Sequence, residues 1–454
     1  MTWTKSSLLF VLMAFVVVGA WAGGSAEQEV TIPDDIEWVT PDRIGNPNAN
    51  IVIRYGVTFA YSHQVDTPSR REYLMRAAEE WARENPNVQL IPQLIGGTQA
   101  EILATQLEEA ATGQGPDFTM IDGQWIPMFY DFLQPLDDYV SEEELDDWFQ
   151  WAKDGAMIDP NTGELKSLWF TTNAVGLWYR RDLIPEPPRD WDEFIETAHW
   201  LMDDHGFNIG LLATGHEEQI SYGNVIPMFY GLGGDLVDDQ GAPIFGEGEN
   251  RDAMIEVMGF WDRAVKEGVV PERILDISAA GDNVSEAAEP NNLAMFLSGS
   301  WLLSRMNDVL GDEVENWDFT FTPQRDASVT GQSGQVPGGY NWAFFTRDEE
   351  KLAYAVDFVK HVYAGRQGMA DFGWGGGYTP VRHSIMQEDQ RFVEDRFHQA
   401  FAEVVEAGRP RPGVQAYGAI SEFLQEAWQN VILQRETPEQ AVDRAFERTL
   451  QQIR

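Results

Sequence analysis

A chain of 454 residues, 43% of them hydrophobic, exceeds what one ordinary core supports and predicts two domains or more. Its 74 acidic residues against 31 basic ones give a formal net charge of −43, a field that repels phosphate and excludes nucleic-acid backbones as partners. Cysteine is absent, which excludes disulfides, thiolate metal sites, a cysteine nucleophile and a lipid-bearing cysteine anchor together.

The N-terminus carries Lys5, an apolar run from Leu8 to Val18 and the small-x-small pattern Ala20-Trp21-Ala22. This predicts a signal peptide over residues 1–22, because the run is shorter than the ~20 residues a membrane span requires. The mature protein is expected to be periplasmic and not lipid-anchored. Residues 23–49 are polar, with Pro33, Pro41 and Pro47, and are expected to form a flexible arm. IVIRYGVT at 51–58 has the apolar content of a buried strand, followed by a helix over about 69–84 and a strand VQLIPQLI at 88–95. Thr98 with Glu101 forms a capping-box pattern that opens the next helix, and FTMID at 118–122 is a short strand after the turn GQGPD. Strand, helix, strand, helix, strand in this order predicts a parallel sheet with helices on its faces.

The second half repeats the style. AVGLWYRR at 174–181 predicts a strand, and Asp190 with Glu193 predicts the start of a helix that ends at Gly206. IGLLAT (209–214), WDFTFTP (317–323) and YNWAFF (340–345) are strand-like, and helices are expected over 386–406, 417–434 and 438–453. The last opens on Thr437-Pro438-Glu439-Gln440, a capping box with proline at its first position, and sets Val442, Phe446, Leu450 and Ile453 on one face.

Signatures of catalysis are missing: the chain has no HExxH, no G-x-S-x-G, no Walker loop and no dinucleotide fingerprint. Seven scattered histidines give no metal spacing, and Asp235 to Gly241 fits a hairpin turn better than a calcium loop. No cofactor, metal or catalytic residue is expected. Abundant carboxylates leave a hydrolase using two of them open.

Aromatic residues gather at loop starts: Trp125 after FTMID, Trp301 in SGSW, Tyr340 and Trp342 after Gly338-Gly339, and Trp374 and Tyr378 in FGWGGGYTPVRHS. Open α/β sheets bind ligands beyond the carboxyl ends of their strands, where such loops collect. Flat rings cover the faces of a sugar while short polar groups bond its edge. Packing in a hydrophobic core accounts for any one of these rings equally well.

Five fragments, TGQGPDFTMIDGQW, AVGLWYRRDLIPEPPRDWDEF, LAMFLSGSW, GGYNWAFFTRDEEKLAYAVDFV and GGGYTPVR, resemble in this order the solute-binding proteins of bacterial sugar ABC importers, the maltose-binding-protein-like family. The resemblance implies an α/β, two-lobed, type II-like periplasmic-binding-protein fold with an interlobe cleft and crossing hinge strands. Lobe 1 would comprise 50–171 plus 340–372, and lobe 2 would comprise 176–336 plus 376–454. It also implies a monomer that captures a mono- or oligosaccharide without catalysis and delivers it to membrane permease subunits. Trp301 matches the family's cleft tryptophan, with Ser300 in place of its proline. Asn173 stands where a sugar-bonding carboxylate is found, and Asp122, Gln124 and Trp125 occupy a loop that supplies contacts. Tyr222, Tyr61 and Tyr417 are assigned by position, with Gly339 and Tyr340 from the GGYNW fragment. Arg382 recurs in the Pro-x-Arg pattern, either at the ligand or bracing its loop. Trp374 and Tyr378 would roof the cleft, with the glycine run as the third hinge crossing. The competing expectations are a secreted hydrolase or lyase, or the same fold with a polyol, glycerol phosphate or polyamine.

Overall fold

The computed structural model describes residues 30–97, 99–216, 218–331 and 334–453. The expected signal segment and Thr98 of the expected capping box lie outside them. Among the described residues nine strands follow in chain order: β1 (Val39–Thr40), β2 (Arg43–Gly45), β3 (Ile51–Thr58), β4 (Val88–Ile95), β5 (Phe118–Asp122), β6 (Ser167–Arg180), β7 (Met295–Gly299), β8 (Trp317–Thr320) and β9 (Pro337–Phe344). β4, β3 and β5 run parallel, as their alternation with the helices Pro68–Glu84 and Gln99–Thr112 requires. β9 lies antiparallel between β5 and β6 and completes the sheet of the first lobe. Its core stacks Tyr55 on Phe118 at 5.3 Å, with Trp342 closing against both.

β6 belongs to both lobes. SLWFTTNAVGLWYR is buried at every position but the last, which suits a strand covered on both faces. Its first half, through Ala174, pairs with β9, and from Val175 onward it pairs with β7 and β8 of the second lobe. β9 enters at Pro337 opposite Ala174, so two strands cross between the lobes side by side. The second lobe's core surrounds the buried Trp178 with Phe319, Phe397 and Phe401.

Four expectations need correcting. The expected flexible arm contributes β1 and β2, and β2 pairs antiparallel with β4. Polar composition hid this, because these two short strands at the end of the sheet are held by their backbones; Asn46 adds side-chain bonds to the carbonyls of Thr31 and Pro86. IGLLAT makes two isolated parallel bridges instead of a strand, since its backbone is divided between partners: Ile209 N donates to Asn292 and Leu211 N to Val269. The expected helix 386–406 is three pieces, because Asp389 and Asp395 each turn inward to cap the next helix. In the last helix, Pro438–Gln452, the capping box forms, while the buried face is Ala441, Val442, Ala445 and Thr449, and Ile453 is exposed.

The glycine run is no hinge. Residues 366–376 form a helix, Gly377 ends it in the left-handed region at φ 72°, and the chain stays on the first lobe through His383, whose N–H bonds Asp147 O. The glycines permit close approach: a Cβ on Gly376 would meet the Tyr378 ring at 2.6 Å. Arg391 still pairs with Asp371, whereas Phe397 already packs on Trp178, so the third passage between lobes lies at Asp389–Asp395.

Candidate functional site

The carboxyl ends of β3 and β5 and the crossing strands face the second lobe across a cleft of about 610 Å³. From the first lobe come Tyr61 in the turn after β3, Asp122 at the end of β5, Trp125 in the turn after it, and Gly339 and Tyr340 of β9. Tyr378 stacks on Tyr61 at 5.2 Å and 22°, and Tyr340 tilts against it at 5.1 Å. Asn173 sits at the crossing of β6. The second lobe supplies Trp301 after β7, Glu218 and Tyr222, and Arg411 and Tyr417 from the connector into the helix Tyr417–Ile432.

Glycine shapes this wall twice. A Cβ on Gly299 would meet the Trp301 ring at 1.8 Å, so SGSW lets the indole lie flat over its own backbone. A Cβ on Gly339 would meet Thr171 O at 2.1 Å and Trp169 Nε1 at 2.6 Å, so the cleft floor needs a residue without a side chain.

The polar groups form one connected network. Tyr222 stacks on Trp301 at 6.1 Å and 12°, and its hydroxyl donates to Asn173 Oδ1 at 2.5 Å. The Arg411 guanidinium lies 4.4 Å over the Tyr222 ring. Its Nη2 donates to both Asp122 oxygens at 3.2 and 3.0 Å, and its Nη1 to Glu218 at 2.5 Å. Tyr417 donates to the same Glu218 oxygen at 2.8 Å and tilts against Trp125 at 5.7 Å. Burial raises the Tyr61, Tyr222 and Tyr417 phenols, so all three stay neutral donors. Burial would lower Arg411, but Asp122 and Glu218 outweigh it and hold the cation well above its ordinary value. Asp122 is raised by burial first and by Glu218, against the pull of Arg411. One cation shared by two carboxylates explains both directions: the guanidinium has two anionic partners, whereas Asp122 has one cation and one rival carboxylate.

Three sequence candidates fall outside the cleft. Gln124 turns its backbone carbonyl toward Gly413 and does not line it. Trp374, 43% exposed, stacks on His398 at 5.5 Å and meets Phe392 edge-on, in a separate groove at the lobe junction. Its helical position, set by the glycine-rich helix end, carries it away from the cleft while Tyr378, beyond the left-handed turn, reaches in. Arg382 is 1% exposed and braces the first lobe: it bonds Ala364 O, Glu144 and Asp147 and lies over the Trp148 ring. Sequence reasoning missed Glu218, Arg411, Ser421, Glu422 and Gln425, all on the wall. The signal for Arg411 was RPRPGV, a cation fixed between prolines in a lysine-poor chain. Among the described residues no group of three or more His, Cys, Asp or Glu is arranged to hold a metal, and no helix is long and apolar enough to cross a membrane.

Residues 67–367 match the family described as Bacterial extracellular solute-binding protein. A Maltotriose-binding protein of Pyrococcus abyssi (strain GE5 / Orsay) is 21% identical over 361 residues, covering 78% of this chain and 73% of the relative. Maltose-bound T. maritima MalE3 superposes with a TM-score of 0.71 at 18% identity, over 88% of this chain and 99% of that one. The Thermus thermophilus maltotriose binding protein, bound with maltotriose, gives 0.69 at 20% identity over 88% and 100%. The fold shared with these structures is the two-lobed α/β arrangement.

Proposed function

The chain belongs to the bacterial extracellular solute-binding protein family, and we propose that it is the carbohydrate-capturing component of an ABC importer, acting without catalysis. The observation that carries this reading is the composition of the cleft: aromatic faces from both lobes, Tyr61, Trp125 and Tyr340 on one side and Tyr222, Trp301 and Tyr417 on the other, enclose one polar network. Rings would cover the apolar faces of a pyranose, while Asn173, Asp122, Glu218 and Arg411, which line the same cleft, are the polar groups that would meet hydroxyls at its edge. Contacts from both lobes are what a ligand needs to favour closure, since it shifts the equilibrium only by its differential affinity for the closed state. Tyr378 belongs to the same wall. The closed, loaded form would then dock on permease subunits in the membrane.

The named relatives make α-linked glucose oligomers the first probes. Thermal-shift and calorimetric titration against maltose, maltotriose and a broad panel of mono- and oligosaccharides tests the reading. Binding by at least one sugar, with no release of new reducing ends on prolonged incubation, is the expected outcome. A silent panel overturns carbohydrate as the ligand class, and sustained turnover overturns the absence of catalysis.

A further inference from the structure

We propose that Arg411 is the keystone of closure: a positioning residue whose cation lets the two lobes come together by cancelling the repulsion between Asp122 of the first lobe and Glu218 of the second. Arg411 is 6% exposed, and its fork is divided between the lobes, Nη2 on Asp122 at 3.0 Å and Nη1 on Glu218. It comes from the connector between the helices Arg396–Glu406 and Tyr417–Ile432 and packs over the Tyr222 ring at 4.4 Å. Glu218 is engaged from its own lobe by Arg411 and Tyr417. Asp122 is brought in by closure, losing water as it arrives; the described side-chain bonds to its carboxylate both come from Arg411.

The charge count sets the energetic balance. With Arg411 present the cluster is two carboxylates and one guanidinium, and the cation lies between the lobes. Without it, closure would bring two buried carboxylates together with no cation, the arrangement that like charges in low dielectric oppose most strongly. The raised Asp122 carboxyl agrees with this: burial and Glu218 still press on it even with the cation in place. Arg411 therefore positions the aromatic walls through the aspartate and glutamate it joins.

The absence of native cysteine allows one dye on each lobe through two introduced cysteines, and single-molecule energy transfer then counts closed and open molecules in the full chain without ligand. R411M is expected to lower the closed-to-open ratio by about tenfold or more. Adding D122N, which removes the rival charge at constant shape, is expected to bring the ratio back to within about threefold of wild type; E218Q added to R411M should do the same. Should R411M fail to fold by circular dichroism, R411Q carries the same expectation. A ratio unchanged by loss of the cation, a double variant that stays open, or a wild type with no closed molecules overturns the proposal. The measurement needs no ligand, so its failure leaves carbohydrate capture standing, and a silent sugar panel leaves the keystone standing.

Discussion

Two buried arginines meet the same local chemistry in this protein. Arg382 and Arg411 each contact two carboxylates and lie over an aromatic ring, Trp148 at 3.3 Å and Tyr222 at 4.4 Å. Arg382 keeps both carboxylates, Glu144 and Asp147, within the first lobe, and each has other support: Lys360 on Glu144, Ser384 N and Oγ on Asp147. Arg411 divides its carboxylates between lobes. Burial dominates at Arg382 and lowers it despite Glu144 and Asp147, whereas the carboxylates dominate at Arg411 and raise it. Identical groups thus serve lobe integrity in one place and lobe movement in the other, and the difference lies in which elements carry the partners.

The most damaging test of that contrast is R382M. It leaves Glu144 and Asp147, whose side chains are 23% and 18% exposed, without their shared cation and empties the buried site the guanidinium fills. Removing one partner of a fully buried pair costs about 3–5 kcal/mol; solvent at both carboxylates and the support from Lys360 and Ser384 place this case at or below about 3 kcal/mol. Urea unfolding should show that loss, while the folded fraction binds its sugar as wild type does. R411M should give the reverse pattern, a modest change in unfolding with a large change in closure. Equal behaviour of the two variants would break the comparison.

A second contrast sets Trp301 against Trp374. Both come after glycines in sequence, and both stack on another ring, yet Trp301 faces the cleft with Tyr222 and Trp374 lies on His398 outside it. W301A is expected to weaken sugar binding by about 1–3 kcal/mol by calorimetry, the range for losing a stacked anchor. W374A should leave affinity within about 0.5 kcal/mol, as surface changes away from a site generally do. Equal losses would return Trp374 to the binding wall.

These pairs also explain what was legible in the sequence. Strands β3 to β5 were readable because apolar runs alternating with helical stretches leave few alternatives, and the caps at Asp190 and Thr437 form as their spacing requires. Tyr61, Asp122, Trp125, Asn173, Tyr222, Trp301, Gly339, Tyr340, Tyr378 and Tyr417 were placed by strand ends and by family resemblance, and the fold brings them to one cleft. Trp374 and Arg382 misled because a motif specifies a residue's neighbours along the chain, not which side of a helix end it reaches. Glu218 and the pairing of Arg411 were missed for the complementary reason, since RPRPGV marks a cation but not its partners. Arg411 and Glu218 lie 193 residues apart, and their meaning depends on Asp122, 289 residues from Arg411. A charge cluster assembled from three distant segments has no local pattern to read.

The smallest expected effect concerns the two aspartates and their opposite response to acid. Burial alone would raise Asp147, but hydrogen bonds from Ser384 and the charge of Arg382 overcome it and hold the carboxyl below its ordinary 3.8. Its contribution to lobe stability is therefore complete above about pH 3.8 and is lost as pH falls through the lower folded value. Asp122 shifts the other way, raised by burial, with Glu218 adding to it and Arg411 opposing. In the open arrangement water would restore it toward 3.8, so closing takes up a proton and mild acid favours the closed form. Between neutral pH and about pH 4, the closed fraction measured by energy transfer should rise in wild type and stay flatter in D122N, while urea stability shows no loss traceable to Asp147. D147N should separate from wild type in stability above pH 3.8 and converge with it below. A closed fraction that falls with acid in wild type alone would mean that the Asp122 charge favours closure more than its burial opposes it, and would reverse the balance assigned to the cluster.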